Sequence, residues 1–327
     1  MANREIGLLL MAYGSPDHIE DLGAYLLDIR GGRATSNSLV EEIKDRYLQI
    51  GGRSPLLDLT NAQAAALQAE MDRRHAPRNI RFRAYTGMRH WEPRIHQALR
   101  QMVADGIRQA VALVMAPHSS RLSTGAYYAK LDEALNDLQA PITFQRIAGW
   151  HNHPGLIQSL TLNVVAALQR FAPQQPYVLF TAHSLPQHIL RDGDPYDFQL
   201  RETATLLAQS LALPAGRWEF CFQSAGQSGE VWLGPAIEEV VVRLAHSGEK
   251  NILVVPIGFV CDHVEILYDI DIAARQLAEA HGARLERCQS LNTTPAFITA
   301  LADLVQERLP RIFDKLDDEP IAASLNS

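Results

Sequence analysis

The sequence is poor in most of the signals that settle a protein's chemistry at first sight. Cysteine is scarce: Cys221, Cys261 and Cys288 are the only three in 327 residues, widely spaced and odd in number. That excludes a disulfide framework and reads as reduced thiols of a cytoplasmic protein. No Cys-x-x-Cys pair occurs, so a structural zinc or a four-thiolate iron–sulfur site is not expected. No apolar run approaches the ~18 residues of a membrane span. The longest, Ile6 to Ala12 and Ile252 to Val260, are strand-length. Met1 to Glu5 lead straight into a strand, without the apolar centre of a signal peptide. Basic residues are outnumbered, with 30 Lys and Arg against 37 Asp and Glu, a net charge of −7. With no basic stripe and a pI near 5.9, a nucleic-acid partner is excluded. The first strand is not followed by Gly-x-Gly-x-x-Gly, and no phosphate-loop motif occurs, so nucleotide binding loses its support. The nucleophile elbow of hydrolases and the His-Glu-x-x-His pair of zinc peptidases are missing too.

What is present is a regular alternation. Hydrophobic residues make up 47% and charged residues 20% of the chain, enough for a packed core. The length suggests about two domains of ~150 residues. Apolar strands are expected near Ile6–Ala12, Ile80–Tyr85, Gln109–Ala116 and Ile142–Ala148, with amphipathic helices such as Asn61–Arg74 and Arg94–Asp105 between them. The order then repeats: strands at Tyr177–Thr181, Trp218–Phe222, Asn251–Pro256 and Arg284–Cys288, helices at Phe198–Ser210, Ala236–His246 and Glu265–His281. Continuous apolar strands separated by helices mean parallel sheets covered on both faces. The halves also match in detail. One first strand ends Ala12-Tyr13-Gly14-Ser15-Pro16, the other Ala182-His183-Ser184-Leu185-Pro186. The fold class is therefore α/β: two similar doubly wound, Rossmann-like lobes with a cleft between them. The expected bounds are 1–172 and 173–310, with a flexible tail at 311–327. Ligands of open parallel sheets bind beyond the carboxyl ends of the strands, which brings Tyr13 and His183 to the cleft from opposite lobes.

One segment, at about 16–55, has no counterpart in the second half. Leu26, Leu27 and Ile29 with Arg30 and Arg33 form an apolar lip edged by cations, the pattern of a lid; the plainer reading is a helical hairpin over a sheet edge. His183, at a strand end before an abrupt Ser-Leu-Pro turn, suits proton transfer near neutral pH, or else a structural bond to a loop carbonyl. Asp262, Glu265 and Asp269 fall at helical spacing on one face. They read as a solvated acidic helix start or as a loose oxygen-ligand path for a divalent cation. His118 is expected to cap a loop, Trp232 to be core, His90 to Pro93 to start a helix, and Gln223 to orient a cleft residue.

These blocks carry a resemblance. Met11-Ala12-Tyr13-Gly14-Ser15-Pro16, Gly51-Gly52-Arg53-Ser54-Pro55-Leu56, Ala116-Pro117-His118-Ser119, Ala182-His183-Ser184-Leu185-Pro186, Phe222-Gln223-Ser224, Trp232-Leu233-Gly234-Pro235 and Asp262-His263-Val264-Glu265 resemble the ferrochelatases, in order, from about Gly7 to Leu309. The resemblance implies insertion of Fe²⁺, as substrate, into a tetrapyrrole with release of two pyrrole protons. Neither a nucleotide nor an iron–sulfur cluster is implied, since no cysteine follows Cys288. The Met-Ala-Tyr-Gly form resembles the bacterial branch that metallates coproporphyrin III to coprohaem in haem biosynthesis. By the same resemblance His183 accepts a proton and stands on the metal side, with Glu265 delivering iron or relaying protons beside it. Tyr13 ligates iron from the opposite face, and Asp269 belongs to the metal path. Arg30, Arg46, Tyr47, Ser54 and Tyr127 match positions on the propionates or pocket wall, and Leu26 and Ile29 supply the lip. The family's acidic file often runs one turn beyond Asp269, where this chain has Ala273, with Asp271 nearby. The implied setting is a cytoplasmic monomer with a porphyrin and ferrous iron as its partners. A protoporphyrin IX ferrochelatase and a non-catalytic tetrapyrrole carrier on the same scaffold remain open alternatives.

Overall fold

The structure, a computed structural model, describes residues 4–226 and 229–313. Most of the expected tail, 314–327, lies outside the described residues. Among the described residues, eight strands form two parallel sheets. The first holds β1 (Arg4–Ala12), β2 (Ile80–Met88), β3 (Gln109–Val114) and β4 (Thr143–Ile147) in the order β2-β1-β3-β4. The second holds β5 (Tyr177–His183), β6 (Trp218–Gln223), β7 (Asn251–Pro256) and β8 (Arg284–Arg287) in the order β6-β5-β7-β8. The two halves therefore share one connectivity. In each, the chain leaves the first strand to one side and returns on the other. The crevice at that first strand's carboxyl end is a topological switch point. β1 ends one residue before Tyr13, and β5 ends on His183.

Side-chain alternation divides each strand between two cores. Leu8 and Leu10 of β1 join Phe180 and Ala182 of β5 in one cluster shared by both sheets. Leu9 and Met11 point the other way, toward Leu99 of α4 (Ile95–Ala104) and Leu131 of α5 (Thr124–Asp137). In the second lobe, Leu179 and Ile252 pack on Val240 of α8 (Ile237–His246) and Ala278 of α10 (Arg275–Ala280). The shared core is completed by α3 (Leu56–His75), α6 (Pro154–Leu168), α7 (Tyr196–Ser210) and α11 (Pro295–Gln306). Although it belongs to the second half of the chain, α11 packs against α3 and α6, which ties the lobes together. Gln63 of α3 adds a polar clasp by donating to the Val260 and Asn292 carbonyls at 3.1 and 2.9 Å. Helix α6 begins with Pro at its first position and the His153 ring accepting from Gly155 N–H at 3.2 Å.

The unmatched segment is a helical hairpin of α1 (Leu22–Ile29) and α2 (Asn37–Gln49), the latter capped by Ser36. It has a small core of its own: Leu22, Tyr25, Leu26 and Tyr47 pack with Trp91 of the first lobe and Val264 of the second. It therefore bridges both lobes at the cleft rather than covering a sheet edge alone. Among the described residues no helix is long and apolar enough to cross a membrane, and the three cysteines are buried free thiols.

Two glycines let backbone come close at the strand ends. Gly14 has φ +97°, and a Cβ there would stand 2.8 Å from the Trp91 nitrogen. A Cβ on Gly258 would stand 2.6 Å from that of Ala182, the residue before His183.

Candidate active site

The carboxyl ends of β1 and β5 open on one cavity of about 340 Å³, within the range of small-molecule sites. Tyr13, Ile29, Tyr47, Ser54 and Tyr127 line it from the first lobe, His183 and Glu265 from the second. Seven of the expected site residues thus share one space.

His183 is held on three sides. Its carbonyl accepts from the Tyr196 hydroxyl at 2.9 Å, its Nδ1 donates to the Ser184 carbonyl, and its Nε2 lies 3.4 Å from Glu265 Oε1. The ring makes the expected bond to a loop carbonyl and also faces the cavity. With an acceptor at each nitrogen, the ring is an imidazolium. Burial works against that charge, but the Glu265 carboxylate and the Ser184 carbonyl outweigh it and hold His183 up at about 9. Glu265 lies in the first turn of the short helix α9 (Val264–Leu267), and His263 Nδ1 caps that turn by accepting from Glu265 N–H at 3.3 Å. Burial would raise Glu265, yet the His183 charge holds it down at about 2.

The signs of these shifts set a pH window. The raised imidazole stabilises the fold fully below its ordinary value of 6.5, and this is lost as pH rises through about 9. The lowered carboxylate stabilises fully above its ordinary 4.5, and this is lost as pH falls through about 2. The pair therefore stabilises in full only between 4.5 and 6.5. An NMR titration of the His183 ring is expected to show a midpoint near 9 that falls to 6.5 or below in Glu265→Gln.

Tyr13 faces this pair from the other lobe. Its ring lies 4.7 Å from that of His90 and 6.0 Å from the Arg89 guanidinium. Burial and the Glu265 charge push its phenol up to about 12, so it is protonated at neutral pH. His90 is pinned by Asp28 of α1 at 2.8 Å, and Arg94 holds the same carboxylate at 2.9 Å.

Asp269 stands behind the pair, at the start of a π-helix spanning Asp269–Ala274. It accepts from the Ser224 hydroxyl, and Arg46 of α2 lies 3.5 Å away with its guanidinium over the Tyr268 ring. Burial and the neighbouring Glu265 push Asp269 up to about 6. The wide helical turn replaces the single regular helix expected over Glu265–His281; such turns concentrate at functional sites.

Other expectations are corrected. Asp262 does not share a face with Glu265, because it precedes the helix. It is taken up by Ser290 at 2.6 Å, Asn292 at 2.9 Å and Arg287 at 3.1 Å. Asp271 is bound twice by Arg287, both at 2.8 Å, so it does not extend the acidic file. Leu26 turns into the hairpin core, 4% exposed, and Leu27 beside it is the exposed one. Arg30 and Arg46 sit on the hairpin outside the cavity wall. Trp232 is not core: it lines the cavity with its ring 6.3 Å from that of His183. His90 to Pro93 precede α4 without forming its first turn, and His90 lines the cavity. His118 is a buried wall residue bonded to Thr203 at 2.9 Å, and burial presses it down to about 3. Its position just past β3, like that of His90 just past β2, follows the strand-end rule that located Tyr13 and His183. Tyr196, by contrast, enters from the start of α7, where no strand pattern points to it.

Known proteins are similar to this chain in sequence and in fold. The family model described as Ferrochelatase matches residues 5–309. A protein named ferrochelatase from Deinococcus radiodurans is 42% identical over 312 residues, covering 94% of this chain and 98% of that protein. A coproporphyrin III ferrochelatase from Geobacillus sp. strain WCH70 is 38% identical over 313 residues, covering 94% and 99%. Among solved structures, SirB from Bacillus subtilis with Fe³⁺ has a TM-score of 0.58 at 12% identity, covering 95% of this chain and 98% of that one. CbiX, described as the terminal enzyme of sirohaem biosynthesis in denitrifying bacteria, has a TM-score of 0.53 at 15% identity, covering 92% and 98%. At such identities these structures show the shared fold.

Proposed function

The chain belongs to the ferrochelatase family, and from that premise we propose that it inserts Fe²⁺ into coproporphyrin III, with His183 and Glu265 as its catalytic pair. The observation that carries the reading is the 3.4 Å contact of imidazole and carboxylate in the cavity that also holds Tyr13.

The chemistry follows from the resting charges. A porphyrin gives up two N–H protons as the metal enters. At rest the pair is imidazolium and carboxylate, so the carboxylate is its open ligand for the incoming cation. When Fe²⁺ reaches Glu265, its charge takes over the role the imidazolium plays there. The imidazolium then releases its proton to solvent, and the freed His183 Nε2 takes the two pyrrole protons in turn, passing each to solvent, or binds iron once they have left. Asp269, outside the cavity wall with Arg46 and Ser224 on it, is assigned to the metal path by the family resemblance. A carboxylate path releases its metal, whereas a thiolate cage would retain it. Tyr13 waits on the other side as a neutral phenol for the metallated product. Tyr47, Ser54, Tyr127 and Ile29 form the wall against the macrocycle, and Leu26 supports them from within the hairpin.

The coproporphyrin reading rests on the Met11-Ala12-Tyr13-Gly14 form and on relatives named for that substrate at 38 and 37% identity. Its four propionates suit a rim bearing Arg30, Arg46 and Arg89, since guanidinium pairs carboxylate in two-point fashion. As part of the same reading, residues 1–172 and 173–310 are the two lobes that enclose the macrocycle. Anaerobic assays with Fe²⁺ are expected to metallate coproporphyrin III at least about tenfold faster, in kcat/KM, than protoporphyrin IX, a difference of about 1.4 kcal/mol. Equal rates would remove the substrate assignment. Stoichiometric porphyrin binding without metallation would favour a carrier.

A further inference from the structure

We infer that Gln223 sets the spacing of the His183 imidazole and the Glu265 carboxylate, as a positioning residue for metal insertion. The inference rests on the proposed role of that pair.

Gln223 is the last residue of β6 and is 1% exposed. It lies opposite His183 in the sheet register, and its backbone carbonyl accepts from Ser184 N–H at 2.8 Å. Its main chain therefore holds the strand end that carries the imidazole. Its side chain holds the other partner. The Thr181 hydroxyl donates to Gln223 Oε1 at 2.8 Å, and Gln223 Nε2 donates to the Glu265 carbonyl at 3.2 Å. The second bond fixes the amide's orientation, because a carbonyl can only accept. The remaining N–H points to Ser224 Oγ at 3.4 Å, and that hydroxyl bonds Asp269. Ser224 holds a φ of +59°, a conformation uncommon for a residue with a Cβ. Two consecutive residues thus reach three segments: the end of β5, the turn of α9 and the start of the π-helix.

The side chains nearest to glutamine in size or chemistry do not meet these demands. Glutamate would set an acceptor against the Glu265 carbonyl and add charge beside Asp269. Leucine has the volume but leaves the Thr181 hydroxyl and the Glu265 carbonyl without this partner in a buried place. Asparagine is one methylene too short to span from β6 to α9.

The test compares Gln223→Leu, Thr181→Val and the double variant with the wild type in porphyrin metallation, and determines the crystal structure of each single variant. Partners of ligating residues typically change activity 10–100-fold. Gln223→Leu is expected to lower kcat by that much with the porphyrin KM within about twofold, and to open the His183–Glu265 separation beyond 3.4 Å. Thr181→Val, which frees the amide to rotate, is expected to lower kcat less. The double variant is expected to be no worse than Gln223→Leu, the non-additivity of groups acting through one contact. Should Gln223→Leu fail to fold, Thr181→Val carries the test alone. A pair unmoved in the variant structure, with kcat within twofold of wild type, overturns the inference. If the wild type itself inserts no metal, the chelatase reading fails, while the separation in the variant crystals still decides the role of Gln223.

Discussion

His183→Ala is expected to abolish metal insertion, lowering kcat by about 10³-fold or more, within the range for a lost acid–base group. The deletion removes the imidazole 3.4 Å from Glu265 Oε1, leaving only the more distant His263 ring at 4.0 Å from the other carboxylate oxygen among the described residues. It also removes the charge that holds Glu265 down. Without it the carboxylate rises from about 2, and the site loses the imidazole that takes up pyrrole protons. The fold should survive, because the ring lies at a strand end and is 29% exposed. The bond from the Tyr196 hydroxyl ends on the His183 backbone and persists. Circular dichroism of the variant should stay near that of the wild type, with the melting midpoint lowered by the loss of the pair's stabilisation, while stopped-flow metallation is lost. Turnover within tenfold of wild type would take His183 out of the mechanism.

Phe297→Ala is expected to act in the opposite sense, costing stability on the order of 3–5 kcal/mol, as large-to-small changes of a buried aromatic do. Phe297 is fully buried in α11 and stacks on Trp150 with ring centroids 6.2 Å apart. It lies in the cluster shared by both sheets, so the vacancy falls in the joint between the lobes. That joint is also held by Arg74 to Asp303 at 2.6 Å and by His75 to Gln306 at 2.7 Å. These polar contacts sit nearer the surface and do not replace the lost packing. Urea unfolding followed by fluorescence measures the effect. A loss below about 1 kcal/mol would mean that the core collapses around the vacancy, and that α11 is not the element joining the lobes.

The lobes were legible because their signals are local. Each strand is a short apolar run between turn residues, and the strands covered on both faces, such as Gln109–Val114, announce it by having no alternation at all. Tyr13 and His183 were legible for the same reason: the residue past a central strand lies at the crevice whatever the rest of the chain does. His90 and His118 obeyed that rule as well. They were assigned to a helix start and a loop cap because their neighbours, Pro93 and Ser119–Ser120, carry strong local signals of their own. Asp262 shows the limit of spacing arguments. Its place one turn before Glu265 assumed a regular helix, but the chain is extended until His263, and Arg287, from a distant strand, claims the carboxylate.

The amino-acid sequence alone determined two repeated α/β halves, an unmatched insertion within the first of them, and which residue ends each central strand, because hydrophobic period and turn chemistry act over a few residues. Only the tertiary structure decided that Leu26 faces inward, that Trp232 walls the cavity, and that α11 crosses to the first lobe's helices. It alone brought Gln223 to the carbonyl of Glu265, 42 residues away in sequence. Contacts of that kind depend on how two sheets settle against each other, and no local preference along the chain encodes that arrangement.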